Sequence, residues 1–268
     1  APRKFFTIHS IILPITLKPA TANSAALVDP IGMIYVLHEE EAEVRKDPKK
    51  QVPLVIRGNV YDCVDVIFKN EIPDDARTGW SNKINLHPHF FQFDTSASDG
   101  PTIGFSYDMS LRAFTMLKDP QPEKGMPLPG NTVLTADTKA GSRSITVADT
   151  SKFHVNIELG VGMDDPKYFE VARIKSINGK TITFDAPLKY GHKKDDIASV
   201  EFIRERWYVD ADLGTVYWHD HVFGTDTWGH GLFSAFITEP PRSTYHDPVT
   251  GKEIRSGPIA DIHTLEPV

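Results

Sequence analysis

A single cysteine, Cys63, serves all 268 residues, so no disulfide can close within the chain. No apolar run approaches the roughly 20 residues that a bilayer-spanning helix needs, and no membrane span is expected. Positive charge is in deficit: 29 Lys and Arg stand against 36 Asp and Glu, a net charge of -7. A nucleic-acid partner selects for a basic face and is not expected here. An initial Met is also lacking. The chain opens Ala1-Pro2-Arg3, in the manner of a chain trimmed by a signal peptidase, which predicts a secreted, periplasmic or cell-surface location. Helical periodicity is scarce.

What remains is strand-like. Hydrophobic content of 40% and charged content of 24% are ordinary for a globular protein. Residues 5–17 (FFTIHSIILPITL), 31–37 (IGMIYVL) and 52–70 are apolar and β-branched, with a turn expected at Gly58-Asn59. The charged stretch 39–50 reads as a solvated loop. A further strand is expected at 232–238, with Pro240-Pro241 marking its exit. Between these flanks, 144–148, 171–177 and 180–184 read as short strands, the last two joined by a hairpin at Asn178-Gly179. The fold class expected is all-β. Residues 1–126 and 200–268 form one discontinuous sandwich, and 127–199 form an inserted small β module.

The histidines carry the chemistry. Two His-X-His pairs stand out, His87-Pro88-His89 and His219-Asp220-His221. Side chains at i and i+2 of a strand share a face, so each pair can aim two imidazoles at one point. Imidazole suits copper, zinc, iron and nickel. Far more chain separates the pairs than adjacent strands need, and an inserted module accounts for the excess better than a structureless loop.

The flanks sharpen this. Asn85-Leu86-His87-Pro88-His89 is followed by Asp99-Gly100. Gly214-Thr215-Val216-Tyr217-Trp218-His219-Asp220-His221 is followed by Trp228-Gly229-His230-Gly231-Leu232. Together these resemble the N-terminal cupredoxin domain of multicopper oxidases. The nearest likeness is to the large bacterial members that include manganese(II) oxidases, on Phe91-Gln92-Phe93-Asp94 and on both segments around His219 and His230. The resemblance covers most of 28–268.

It implies a cupredoxin-like Greek-key sandwich and a trinuclear copper cluster that reduces dioxygen to water. By resemblance His87 binds the type 2 copper, while His89, His219 and His221 bind the type 3 coppers. Asp99 stands near the type 2 copper's water and moves protons, which dioxygen reduction requires. Two departures matter. Phe90 stands where the family has Gly after the first pair, so the loop backbone is expected to differ. No His-Cys-His motif exists, because Cys63 has no histidine near it in sequence. The type 1 electron-entry copper needs a Cys thiolate and two His, and this chain cannot build it. A trinuclear cluster takes about eight His, of which four are here. The remaining ligands, and the site that oxidises a reducing substrate such as Mn(II), are expected on another cupredoxin domain or chain carrying His-Cys-His. The alternative is a non-catalytic copper-binding or structural subunit. A nitrite reductase-like enzyme fits less well, since it too needs a Cys-ligated copper.

Other residues are weighed the same way. His230 is a further candidate, for a solvent path or a substrate site, against a packed hydrogen-bonded residue. Asp220 points away from its flanking histidines and reads as structural. Asp94 and Asp226 are acidic loop residues that could meet a metal substrate or simply face water. Cys63 is expected as a small buried hydrophobe. His9, His38, His154, His192, His246 and His263 are expected at the surface.

Overall fold

Two sheets face each other across the core. The computed structural model describes residues 2–47, 52–73, 83–100, 109–115, 130–165 and 167–265. The first sheet runs in the order Met33–Leu37, Arg3–Ile12, Cys63–Asn70, Ile203–Tyr208, Gln92–Phe93. Arg3–Ile12 pairs parallel with Cys63–Asn70 and antiparallel with Met33–Leu37. The second sheet runs Val55–Asn59, Phe233–Glu239, Thr215–His219, His87–Pro88. The all-β sandwich expected from the sequence is the one observed.

Alternation along each strand supplies the core. Phe6, Ile8, Val64, Val66, Phe68 and Trp207 of the first sheet meet Ile56, Val216, Trp218 and Phe236 of the second, all buried. The Tyr35 and Trp218 ring centroids lie 4.5 Å apart, and Phe91 stacks on Trp207 at 5.6 Å. Each such side chain contributes about 1.5–3 kcal/mol when fully buried, which fixes the spacing of the sheets.

The strands from Asn131–Val133 to Ile197–Ser199 form a third, six-stranded sheet. It has an apolar core of its own, with Leu134, Ile145, Leu159, Val161, Ile182 and Phe184. Residues 127–129 and 166 of the expected module lie outside the described residues. Its hairpin exists, one residue later than expected. Asn178 pairs with Thr181, leaving Gly179-Lys180 as the turn.

Four local expectations are corrected. Segment 5–17 is two strands, Arg3–Ile12 and Ile15–Lys18, because Pro14 has no N–H to continue a ladder. Gly58-Asn59 is not a turn but the end of Val55–Asn59. Its glycine is needed for packing, since a Cβ there would lie 2.4 Å from Phe236 Cζ. The charged stretch holds a helix, Glu41–Lys46, with Glu41 and Glu43 in its first turn and Arg45 and Lys46 in its last, the charge order that the helix dipole favours. Cys63 is half-buried rather than buried, because it is the first residue of its strand and lines a surface cleft with Gln92, Asp94 and Arg206. No helix among the described residues is long and apolar enough to cross a membrane.

Candidate metal centre

The two histidine pairs meet at one end of the second sheet. His87–Pro88 lies antiparallel to Thr215–His219, with His87 opposite His219 and Pro88 opposite Trp218. The His89 N–H extends that ladder by donating to the Tyr217 carbonyl at 3.2 Å. The strands end at Pro88 and His219, so His89 and His221 lie just beyond them rather than on the strands as expected, and their rings pack against those of His87 and His219. His87, His89 and His219 each offer a ring nitrogen, all within 4.8 Å of one another. His221 stands beside this trio without joining its close set of ring nitrogens, its ring centroid 5.0 Å from that of His87 and 5.7 Å from that of His219.

The backbone fixes the tautomers. His87 Nδ1–H donates to the Asp99 carbonyl oxygen at 2.5 Å, and His219 Nδ1–H donates to the Asp220 carbonyl oxygen at 2.8 Å. Each therefore presents Nε2 with its lone pair, the form a metal takes. Burial holds His219 below its ordinary pKa. Burial, and then the neighbouring His87, His219 and His221, push His89 down to about 4. His89 and His219 are therefore neutral at pH 7. His89 Nε2 and His219 Nε2 lie 2.9 Å apart. Two nitrogens held at that distance must share either a proton or a cation, so the donor set fits a transition metal.

Asp99 reaches this group through Gly100. Gly100 has φ +86, and a Cβ on it would come within 2.3 Å of the Leu86 carbonyl oxygen. Only glycine lets the Asp99-Gly100 turn press against the His87 strand. The Asp99 carboxylate is buried, with Oδ1 3.5 Å from His87 Nδ1. Phe90 follows the first pair. Its φ of +69 is one that glycine adopts freely, so the backbone accommodates Phe in a left-handed conformation and leaves the ring 69% exposed.

Sequence reasoning missed the scaffold behind the histidines. Asn85 Oδ1 accepts the His221 N–H at 2.6 Å, while the Asn85 N–H donates to Asp220 Oδ1 at 3.0 Å. Asp220, fully buried, also accepts from the Phe223 N–H at 3.1 Å and the Thr227 hydroxyl at 2.8 Å. Its structural reading is the observed one. Trp228 Nε1 donates to the Asp220 carbonyl at 2.6 Å and sets its ring against His219, centroids 4.4 Å apart. Tyr217 stacks on His89 at 4.1 Å. Asn85 stands two residues before His87, the one signal that could have drawn attention to it.

Other candidates fall elsewhere. His230 is outside the group. Its Nδ1–H donates to Asp29 Oδ2 at 2.7 Å, and it lines an apolar cleft of about 570 Å³ with Ile15, Ile34, Trp228 and Phe233. Asp226 lies 3.8 Å from His230 Nε2. Asp94 lines a separate polar cleft with Cys63, Asp65 and Arg206. His9 and His192 are buried, and His38 is half-buried, against the surface positions expected for them. The two buried rings have carboxylate partners that offset the cost of burial: Glu41 and Glu71 for His9, Glu170 for His192. His9, Glu41 and Glu71 converge, but Arg45 bridges both carboxylates at 2.6 and 2.9 Å and offsets one of their two negative charges.

No protein-family model and no curated protein matches this chain. Among solved structures it is similar to a multicopper oxidase from Pseudomonas thermotolerans, at 11% identity and a TM-score of 0.40, over 90% of this chain and 30% of that one. Similar values hold for Fet3p, a multicopper oxidase that functions in iron import: 10% identity, TM-score 0.38, 90% and 24% coverage. For the multicopper oxidase mgLAC they are 12%, 0.33, 90% and 40%. The chain spans less than half the length of each. At such distance, function has to be argued from this chain's own side chains.

Proposed function

We propose that this chain is the cupredoxin-like part of a multicopper oxidase and supplies half of the histidines of a trinuclear copper cluster. The observation that carries the reading is the register of His87 against His219, which sets four imidazoles into one wall. His87 would hold the type 2 copper, and His89, His219 and His221 the type 3 coppers. Bound there, the coppers would supply the reduction of dioxygen to water.

The chain's own residues orient and protonate. The Asp99 and Asp220 carbonyls lock the His87 and His219 rings with Nε2 outward. The buried Asp99 carboxylate holds or releases a proton beside His87. Trp228 and Tyr217 pack against the His219 and His89 rings and hold their orientation. Electrons from a reducing substrate, of which a metal ion such as Mn(II) is one candidate, would enter through a type 1 copper on a partner domain or chain carrying His-Cys-His. The assembly belongs outside the cytoplasm on this reading.

Copper titration of the purified chain, followed by metal analysis and electron paramagnetic resonance, tests it. Copper is taken up with imidazole-nitrogen coupling and no blue thiolate band, and the chain alone shows little or no oxidase turnover. Uptake unchanged in a His89→Ala/His219→Ala variant sinks the reading.

A further inference from the structure

A fully buried lysine joins the six-stranded sheet to the sandwich. Lys69, on the Cys63–Asn70 strand, has no exposed surface. Its Nζ donates to the Met163 carbonyl at 2.7 Å and lies 4.2 Å above the centre of the Phe169 ring, both on the six-stranded side. From the sandwich side, Phe114 packs at 5.3 Å and His38 Nδ1 lies 3.4 Å away. His38 in turn meets His9 Nε2 at 3.0 Å, and His38 Nε2 is buried with no hydrogen-bond partner.

We propose that Lys69 and His38, roofed by Met163 and Phe169, form a proton-sensitive clasp that holds the six-stranded sheet on the sandwich and loosens as pH falls. An apolar side chain at 69 would pack here without the cost of burying an amine. The buried base gives the contact a pH dependence that an apolar contact lacks.

The sign follows from burial. It pushes Lys69 from 10.5 down to about 7, with Glu71, Glu41, Asp164 and Asp165 opposing the shift. It pushes His38 from 6.5 down to about 3, aided by Lys69 and His9 and opposed by Glu41 and Asp165. Arg45 faces the same network through Glu41 and Glu71. Both values in the clasped state lie below the ordinary ones, so opening takes up protons. The clasp is tightest at high pH. It weakens between pH 10.5 and 7 as an opened Lys69 protonates, and again between 6.5 and 3 as an opened His38 does.

Amide hydrogen exchange of the full chain from pH 9 to pH 5, corrected for intrinsic rates, reads the opening. Segment 158–170 reports the clasp, and hairpin segment 178–184 is the internal control. From pH 9 to pH 7 the opening constant of 158–170 rises by up to about tenfold per pH unit, while the hairpin does not change. Lys69→Met removes that rise. A wild-type opening constant independent of pH, or a Lys69→Met slope equal to wild type, overturns the proposal. His38→Phe covers a misfolded Lys69→Met. It loses the limb from pH 6.5 to 5 and keeps the one above 7, and retention of the acid limb overturns the clasp.

Discussion

His87 and His219 are opposite one another on adjacent antiparallel strands, and each spends its Nδ1 proton on a backbone carbonyl. The sheet and the loops behind it therefore set both the position and the tautomer of the two rings. A ligand orientation built from main chain survives most side-chain changes. It depends instead on the few residues that hold those loops.

Asp220 is the first of these. Its carboxylate takes N–H groups of Asn85 and Phe223 and the Thr227 hydroxyl inside the protein. Asp220→Ala strands those donors without water, at about 1–3 kcal/mol for each unsatisfied group. A loss of about 3 kcal/mol or more in urea unfolding is expected, with weaker copper uptake, since Asn85 also anchors His221. Stability within 1 kcal/mol of wild type would show that the network is dispensable.

Gly100 is the second. Alanine there must hold φ near +86 and press a methyl against the Leu86 carbonyl. The left-handed backbone alone costs about 1–3 kcal/mol for a residue with a side chain, and the close contact adds to it. Gly100→Ala is expected to lower stability by about 3 kcal/mol. It also displaces Asp99, so His87 loses its fixed tautomer and copper affinity falls. Thermal unfolding and copper titration measured on one preparation check both effects. Unchanged copper affinity in a destabilised variant would separate the turn from the site.

The sandwich and the convergence of the histidines were legible because both rest on local period. Strands such as Arg3–Ile12 and Cys63–Asn70 stand out as apolar, β-branched runs, and the two His-X-His pairs mark where such strands end side by side. Asn85, Tyr217 and Trp228 were not legible as support, because their roles come from contacts across sheets and loops that sequence spacing does not encode. His9 misled for the same reason. Its burial depends on Glu41 and Glu71, which are distant in sequence and are brought to it by the Glu41–Lys46 helix and the end of the Cys63–Asn70 strand. Gly58 reads as a turn by composition and serves instead as a gap for the Phe236 ring, a fact that exists only once the two strands are paired.

The Glu41 network makes a prediction about acid. His9 and Arg45 hold the Glu41 carboxylate down to about 2 against the opposing effect of burial, from an ordinary 4.5. A depressed carboxylate contributes stability that is fully present above pH 4.5 and is lost as pH falls toward 2. Glu41→Gln removes that contribution at every pH. The stability difference between wild type and Glu41→Gln should therefore shrink steadily as pH falls from 4.5 to 2. Subtraction cancels the carboxylates that do not interact with Glu41, so paired denaturant titrations between pH 4.5 and 2 read Glu41 together with its His9 and Arg45 contacts. A difference that stays level down to pH 2 would mean that Glu41 titrates alike in the folded and unfolded chains. The His9–Glu41–Arg45 contacts would then contribute nothing to stability that depends on the Glu41 charge.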